Sequence, residues 1–173
     1  MKKFYLGFFC LVAFIFCLTV EPDKSSAVSP HLVISQFQTG GGGAGTFNDE
    51  FVEIFNRGAD PIDLNGYRLV YRSATGSSDV AAAFASWSST TIVQPGGYYL
   101  IASTSYDGTV TPDMTYNPTT CQCSMGAAGG GLAIRLGANN VGAIIDSVGW
   151  GTSTNVFVEG TVTAAPAANN SQS

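Results

Sequence analysis

The fold of this chain is decided by residues 48–71, NDEFVEIFNRGADPIDLNGYRLVY. Within this stretch, residues 51–55 and 67–71 are rich in β-branched and aromatic side chains, and a segment of turn-forming residues separates them. The pair Asn65-Gly66 is typical of a turn, and Asp63 can accept hydrogen bonds from the backbone N–H groups that follow it. The stretch therefore predicts two strands joined by a compact loop.

Short apolar runs separated by glycine-rich turns recur along the rest of the chain. They predict strands at residues 31–37 (HLVISQF), 98–102 (YYLIA), 132–136 (LAIRL) and 141–150 (VGAIIDSVGW), with QPGG and GANN as turns. Beyond the first 20 residues, no long window repeats apolar residues at helical spacing. Six or seven short strands without a helical segment predict an all-β sandwich or barrel.

The N-terminus has the three parts of a signal peptide. Lys2 and Lys3 precede an apolar run over residues 4–20, and a polar segment with Ser25 and Ala27 leads to Val28. We expect cleavage, which divides the chain into a signal peptide at 1–27, a folded domain at 28–160 and a disordered tail at 161–173. The alternative is an uncleaved anchor, because a run of about 17 apolar residues is near the shortest that spans a bilayer. With cleavage no membrane span remains, and the protein is secreted or held at the cell envelope.

The charge balance argues against nucleic acid as a partner. The whole chain has a formal net charge of −5. Beyond the predicted signal peptide it keeps ten acidic residues and four basic ones, which are Arg57, Arg68, Arg72 and Arg135. Proteins that hold a phosphate backbone need a basic face, and this composition does not supply one.

Acidic residues inside the strands are the first candidates for chemistry. Alternation along residues 51–55 places Glu53 on the face of Phe51 and Phe55, opposite Val52 and Ile54. We expect Glu53 to be structural or solvated, with Arg68 or Arg72 as its partner. The alternative is an acidic patch in which Asp49 and Glu53 bind a cation. Catalysis needs a second group at a defined distance, which the pattern does not supply, so we predict no catalytic residue and no cofactor.

Arg68 and Arg72 form the only basic stripe of the predicted mature domain, on the face opposite Tyr67, Leu69 and Tyr71. We call this pair the arginine stripe. We expect it to be solvated or to pair with Glu53 and Asp63, and a role in ligand binding is the alternative.

The same alternation predicts that Leu132, Ile134 and Leu136 face inward. The core candidates of the returning strand are Ile144, Ile145, Val148 and Trp150. Arg135 is predicted to face outward. Asp146, like Glu53, is a carboxylate inside a predicted strand, so it needs a hydrogen-bond partner or water.

Cys121 and Cys123 are separated by one residue in a long irregular connection. A disulfide between them is geometrically awkward, since residues two apart rarely offer relaxed side-chain geometry. Free thiols are the second possibility. A metal site is the third, although a closed zinc site wants four ligands, and His31 is the one histidine of the chain.

Four blocks in order resemble the lamin tail domain, most closely its bacterial exported version. They are VISQF, the opening stretch, TTIVQPGGYYLIA and GGGLAIRLGANNVGAIIDSVGWGT, within about residues 32–160. The resemblance implies an immunoglobulin-like β-sandwich that serves as a binding or architectural module without catalytic residues of its own. The cysteine pair departs from the family pattern. So does the end of the chain, because bacterial members commonly continue into a further segment or domain.

These observations give an expected function and an alternative to it. We expect an exported, non-catalytic module that binds a protein or glycan partner, or tethers, at the cell envelope or outside the cell. The alternative is an accessory domain, or a shortened product, of a secreted metal-dependent nuclease or phosphatase. DNA binding, by analogy with lamin tails, is disfavoured by the net charge.

Overall fold

A computed structural model describes residues 29–40, 49–80 and 83–165. The predicted signal peptide at 1–27 therefore lies outside the described residues, as does most of the predicted tail.

Two four-stranded sheets build the described fold. The first has the order β1-β2-β7-β8, formed by Leu32–Gln38, Phe51–Asn56, Tyr98–Ser103 and Met114–Tyr116. The second has the order β10-β9-β4-β5, formed by Ala143–Gly151, Gly129–Leu136, Tyr67–Ser73 and Ala85–Ser86. A two-stranded pair joins β3, Ile62–Asp63, to β6, Ile92–Val93. One helical turn, α1, spans Pro118–Cys121. This confirms the predicted all-β sandwich.

The main core lies between the two sheets. The first sheet contributes inward side chains such as Val52, Ile54 and Ile101, all 0% exposed. The second contributes Leu69 and Leu132 at 0%, together with Ile134 at 1%. These residues alternate with outward ones, and burying such aliphatic side chains is the main favourable term in folding.

The loop within the opening stretch has the predicted geometry. The Asp63 Oδ1 atom accepts hydrogen bonds from the N–H groups of Asn65 (3.0 Å) and Thr91 (2.9 Å). Gly66 has a φ of +86°, a conformation that L-residues with side chains resist. These contacts connect the loop to the segment that leads into β6 and so fix the entry into β4.

The outer face of the second sheet is covered, and this changes the predicted burial. Val70 and Ala133, on that face, form a second small core with Phe157, and all three are 0% exposed. Arg135 shares this face and is 4% exposed, so the prediction that it points into solvent is wrong. The reason is that residues after β10 fold back over the sheet, which strand alternation cannot show.

Two predicted core residues are instead exposed. Leu136 is 44% exposed at the end of β9, and Ile144 is 39% exposed near the start of β10. A bulge lies between Ile144 and Asp146, and it shifts the phase of the strand by one residue. Alternation counted back from Trp150 therefore fails beyond the bulge.

The ordered part of the chain extends into the stretch predicted to be a disordered tail. Thr163 forms a parallel bridge with Trp150. Its N–H donates to the Gly149 carbonyl, and its carbonyl accepts from the Gly151 N–H, each at 2.9 Å. The segment therefore adds to the edge of β10, because an edge strand offers unpaired backbone groups. Residues 166–173 lie outside the described residues.

Among the described residues, no helix has the length and apolar character needed to cross a bilayer.

Candidate functional site

The arginine stripe is not a free surface. Arg72 is 5% exposed, and its Nε donates a 2.7 Å hydrogen bond to Asp79 Oδ1. The Nε of Arg135 lies 2.8 Å from Asp79 Oδ2. A single buried carboxylate thus holds two buried guanidinium groups. Within the arginine stripe, Arg68 is partly exposed and Arg72 is buried. Arg72 is therefore not available to a ligand on this face.

The aromatic ring of Phe157 closes this cluster from outside. The Cζ atoms of Arg72 and Arg135 lie 4.9 and 5.3 Å from the ring centroid, within the range of cation–π contacts. Asn140 makes two further hydrogen bonds with Asp79. Its N–H donates to Asp79 Oδ2 at 2.6 Å, and its Oδ1 accepts from the Asp79 N–H at 2.7 Å. We name the three buried charged residues, Arg72, Asp79 and Arg135, the buried ionic cluster.

The protonation of Asp79 follows from these contacts. Burial raises the pKa of its carboxyl group, but the Asn140 N–H and the two guanidinium groups outweigh burial and hold the pKa below its ordinary value. Asp79 is therefore ionised at neutral pH. Sequence reasoning missed it because it lies in a loop of small polar residues, far along the chain from Arg135.

The two acidic residues proposed as a cation site bond to different neighbours. The Glu53 carboxylate accepts a 2.7 Å hydrogen bond from the Ser35 hydroxyl. Asp49 Oδ1 accepts from the Asp107 N–H at 3.0 Å. A hydrogen bond and charge repulsion from Asp49 raise the pKa of Asp107. Within the described part of the chain, no group of three or more His, Cys, Asp or Glu side chains could hold a metal ion.

The predicted pairing of Glu53 with an arginine of residues 67–72 is wrong. Glu53 lies on β2 in the first sheet, whereas Arg68 and Arg72 lie on β4 in the second. Arg72 is also occupied by Asp79. Sequence alternation gives the face of a strand but does not say which sheet the strand enters.

Glu50 is a buried carboxyl group with a strongly raised pKa, and sequence reasoning did not single it out. It is 1% exposed. Its Oε1 accepts from the Met125 N–H at 2.7 Å, and its Oε2 accepts from the Tyr116 hydroxyl at 3.0 Å. Burial raises its pKa to about 7, although both hydrogen bonds act in the opposite direction. Glu50 is thus a structural acid that connects β2 to the loop after β8.

Asp146 connects the two sheets. Its Oδ2 accepts a 2.7 Å hydrogen bond from the Ile34 N–H of β1, in the first sheet, while Asp146 itself lies on β10 of the second. Burial raises its pKa to about 6. The predicted need for a partner is therefore met by a backbone N–H group.

The cysteine pair lies at the end of α1. Cys121 and Cys123 form a disulfide, with their Cα atoms 5.1 Å apart. Gln122 between them adopts a left-handed conformation with φ 52° and ψ 40°. Cys123 is 0% exposed and belongs to the main core, whereas Cys121 is half-buried.

The outer face of the first sheet carries aromatic side chains, although Leu100 and Ala102 on the same face are buried. Phe55 stacks on Tyr98 with ring centroids 4.6 Å apart, and Phe51 meets Tyr106 edge to face at 5.9 Å. Glu53 lies between the two aromatic pairs on β2 and is partly exposed. Tyr98 is 59% exposed. We name Phe51, Glu53, Phe55, Tyr98 and Tyr106 the aromatic face.

Two packed and mostly antiparallel sheets, with no helix beyond one turn among the described residues, define an immunoglobulin-like β-sandwich module. The Lamin Tail Domain family matches residues 25–152, which is most of the chain. The chain therefore belongs to the lamin tail domain family, an immunoglobulin-like family of non-catalytic domains. Comparison of the chain with curated proteins found no match. Phe157 and Thr163, which cover and extend the second sheet, lie beyond the matched region.

Proposed function

We propose that this protein is an exported, non-catalytic module that binds a protein partner through the aromatic face and thereby tethers it at the cell envelope or outside the cell. The observation that carries the proposal is the difference between the two outer sheet faces. Phe157, at 0% exposure, covers the second sheet, while Tyr98, at 59%, stands open on the first. Tyr98 is exposed, and Phe51, Phe55 and Tyr106 beside it are partly exposed. Such a group of aromatic side chains on one face can anchor a partner, because aromatic rings bury much apolar area on contact.

The charge of the surface indicates the chemistry of the partner. Of the ten acidic residues among the described ones, Glu50, Asp79 and Asp146 are buried, which leaves seven; of the four arginines, Arg72 and Arg135 are buried, which leaves two. The accessible charged residues are thus seven acids against two arginines, so the surface that a partner meets is acidic. A partner with exposed lysine or arginine residues complements it, since such charges also stack favourably on aromatic rings.

The non-catalytic part of the proposal is supported by how the perturbed acids are used. Glu50 and Asp146 have raised pKa values, which is typical of catalytic acids, but they are only 1% and 7% exposed and bond to backbone N–H groups of this fold. Their bonds connect structural elements, which accounts for their burial without a reaction.

Direct binding tests the proposal. The purified protein, immobilised, is exposed to envelope and culture fractions, and captured proteins are then purified and titrated singly against it. We expect saturable binding that weakens at least about tenfold in the double variant Phe55→Ala, Tyr98→Ala, because aromatic residues dominate interface energies. The matched control is Val141→Ala, an apolar residue that is 81% exposed on the β9–β10 turn.

Three outcomes would count against the proposal. Equal binding by the double variant and the wild type would show that the aromatic face is not the binding site. Capture that survives protease treatment of the fractions would point to a glycan. Metal-dependent hydrolysis by the purified chain would contradict the non-catalytic assignment. Export is tested separately by mass spectrometry of the protein from its host, where a mature N-terminus at Val28 is expected and one at Met1 would refute cleavage.

A further inference from the structure

The Cys121–Cys123 disulfide is left unexplained by a binding function. It closes across a single residue, with the Cα atoms 5.1 Å apart. We propose that it is a thiol–disulfide exchange site that oxidises an accessible dithiol of another protein, with Cys121 as the sulfur that is attacked. This inference does not depend on the aromatic face or on its partner.

The position of the disulfide gives it little value as a structural cross-link. A disulfide stabilises a fold mainly by restricting the unfolded chain, and that effect grows with the number of residues in the closed loop. A loop of one intervening residue restricts almost nothing. Cross-linking of the fold therefore does not account for this disulfide.

The segment that follows the disulfide is already held without it. The Met125 N–H donates to Glu50 Oε1 at 2.7 Å, and the Gly126 N–H donates to the Tyr71 hydroxyl oxygen at 2.9 Å. The Gly126 carbonyl accepts from Trp150 Nε1 at 2.9 Å. The first of these bonds is buried and the other two are partly buried. Their partners lie in β-strands or at the entry to one, so the loop keeps its place when the disulfide opens.

The two sulfur positions differ in access. Cys121 is half-buried between exposed Thr120 and Gln122, whereas Cys123 is 0% exposed. An incoming thiolate can approach only an accessible sulfur, so it attacks Cys121 and displaces Cys123. The same asymmetry keeps the displaced Cys123 beside Cys121 and shielded from other oxidants.

The exchange balances without a further reagent. The first substrate thiolate bonds to Cys121 Sγ, the Cys121–Cys123 bond breaks, and Cys123 leaves as a thiolate that takes a proton from water. The second substrate thiolate then attacks the substrate sulfur of the mixed disulfide and releases Cys121, which is protonated in turn. The substrate dithiol becomes a disulfide, and the protein disulfide becomes two thiols. A more oxidising protein disulfide reverses these steps and restores the site.

Equilibration in glutathione buffers tests the proposal. The full chain is incubated with increasing ratios of reduced to oxidised glutathione, quenched with acid, alkylated, and mapped by peptide mass spectrometry at Cys121 and Cys123. We expect a reversible transition within the accessible range of ratios, with the glutathione adduct on Cys121. A disulfide that stays closed throughout, or two free thiols in the air-equilibrated protein, would overturn the proposal.

Single variants test the order of attack. Cys123→Ser leaves Cys121 as the free thiol of the pair, and Cys121→Ser leaves Cys123. We expect the thiol of the first variant to react with an aromatic disulfide reagent at least about tenfold faster than that of the second, because access controls exchange. Equal rates would refute the assignment of Cys121. The reduced protein should melt within a few degrees of the oxidised one, and unfolding on reduction would show a structural cross-link instead.

Discussion

The Glu50 carboxylate accepts a 2.7 Å hydrogen bond from the Met125 N–H while being 1% exposed to solvent. This contact joins the start of β2 to the loop that carries the disulfide. Burial of the carboxyl group raises its pKa more than its two hydrogen bonds lower it. This shift has a measurable consequence for the stability of the fold.

Glu50 should make the protein less stable as the pH rises from about 4.5 to 7. Burial raises the pKa of Glu50 from 4.5 to about 7 in the folded protein, so in this window the folded state holds a proton that the unfolded state has lost. The free energy of unfolding should fall by up to about 3 kcal/mol across the window. Urea unfolding of Glu50→Gln between pH 4.5 and 8 should show a smaller slope than the wild type, because the amide does not titrate whereas Asp146, with its pKa raised to about 6, still does. The amide can still accept from Met125 and donate to Tyr116. An unchanged slope would contradict the assignment.

Asp79 should be needed to compensate the two buried arginines. The change Asp79→Asn leaves the guanidinium groups of Arg72 and Arg135 without a counter-ion, and breaking a buried ion pair in this way costs about 3–5 kcal/mol. Denaturant unfolding at pH 7 measures the loss. Asp60→Asn, at an exposed position, is the matched control and should change stability by less than about 0.5 kcal/mol.

A triple replacement separates charge from packing in the buried ionic cluster. The variant Arg72→Met, Asp79→Leu, Arg135→Met removes all three charges and should lie closer to the wild type than Asp79→Asn does, because it leaves no uncompensated charge. If the triple variant is less stable than Asp79→Asn, the hydrogen bonds of the cluster stabilise the fold. The role of Asp79 is then more than to neutralise the two buried arginines.

Phe157 should contribute to the stability of the second sheet although it lies beyond the family match. It is 0% exposed and packs on Val70 and Ala133 as well as on both guanidinium groups. Phe157→Ala should cost about 3–5 kcal/mol in unfolding free energy. Val156→Ala, at a neighbouring residue that is 64% exposed, is the control. Equal effects of the two changes would mean that residues after β10 do not cover this face.

Gly130 should not accept a side chain. A Cβ atom there would lie 2.6 Å from Tyr71 Cε2 and 2.8 Å from Trp150 Cζ2, both in buried aromatic rings. Gly130→Ala should therefore destabilise by about 1–3 kcal/mol through overpacking and shift the near-ultraviolet circular dichroism of the rings. At Gly96, where a Cβ would meet nothing within 4 Å, an alanine would cost only the strain of its φ of +70°. A Gly130→Ala protein as stable as the wild type would refute this packing.

Some features of this protein follow from its sequence alone. Val52 and Ile54 alternate with Phe51 and Phe55, and this period of two determines which side chains of β2 face the core whatever surrounds the strand. Asp63 and Gly66 shape their loop through local bonds and a local backbone angle, which depend mostly on neighbours in the chain. Local rules therefore predicted the longer strands, the loop and the all-β class, but they did not predict β5 and β8, which lie in stretches that the sequence indicated to be irregular.

Tertiary structure decided the rest, because the partners are distant along the chain. Arg135 is predicted to be exposed from its strand, but Phe157 folds over it and Asp79 reaches it from another loop. Glu53 meets Ser35 rather than an arginine, since the sheet to which each strand belongs is set by pairing and not by alternation. Glu50 becomes a buried acid only when β8 and the loop after it close over it. Burial and charge pairing depend on what covers a face, and a strand pattern carries no information about its cover.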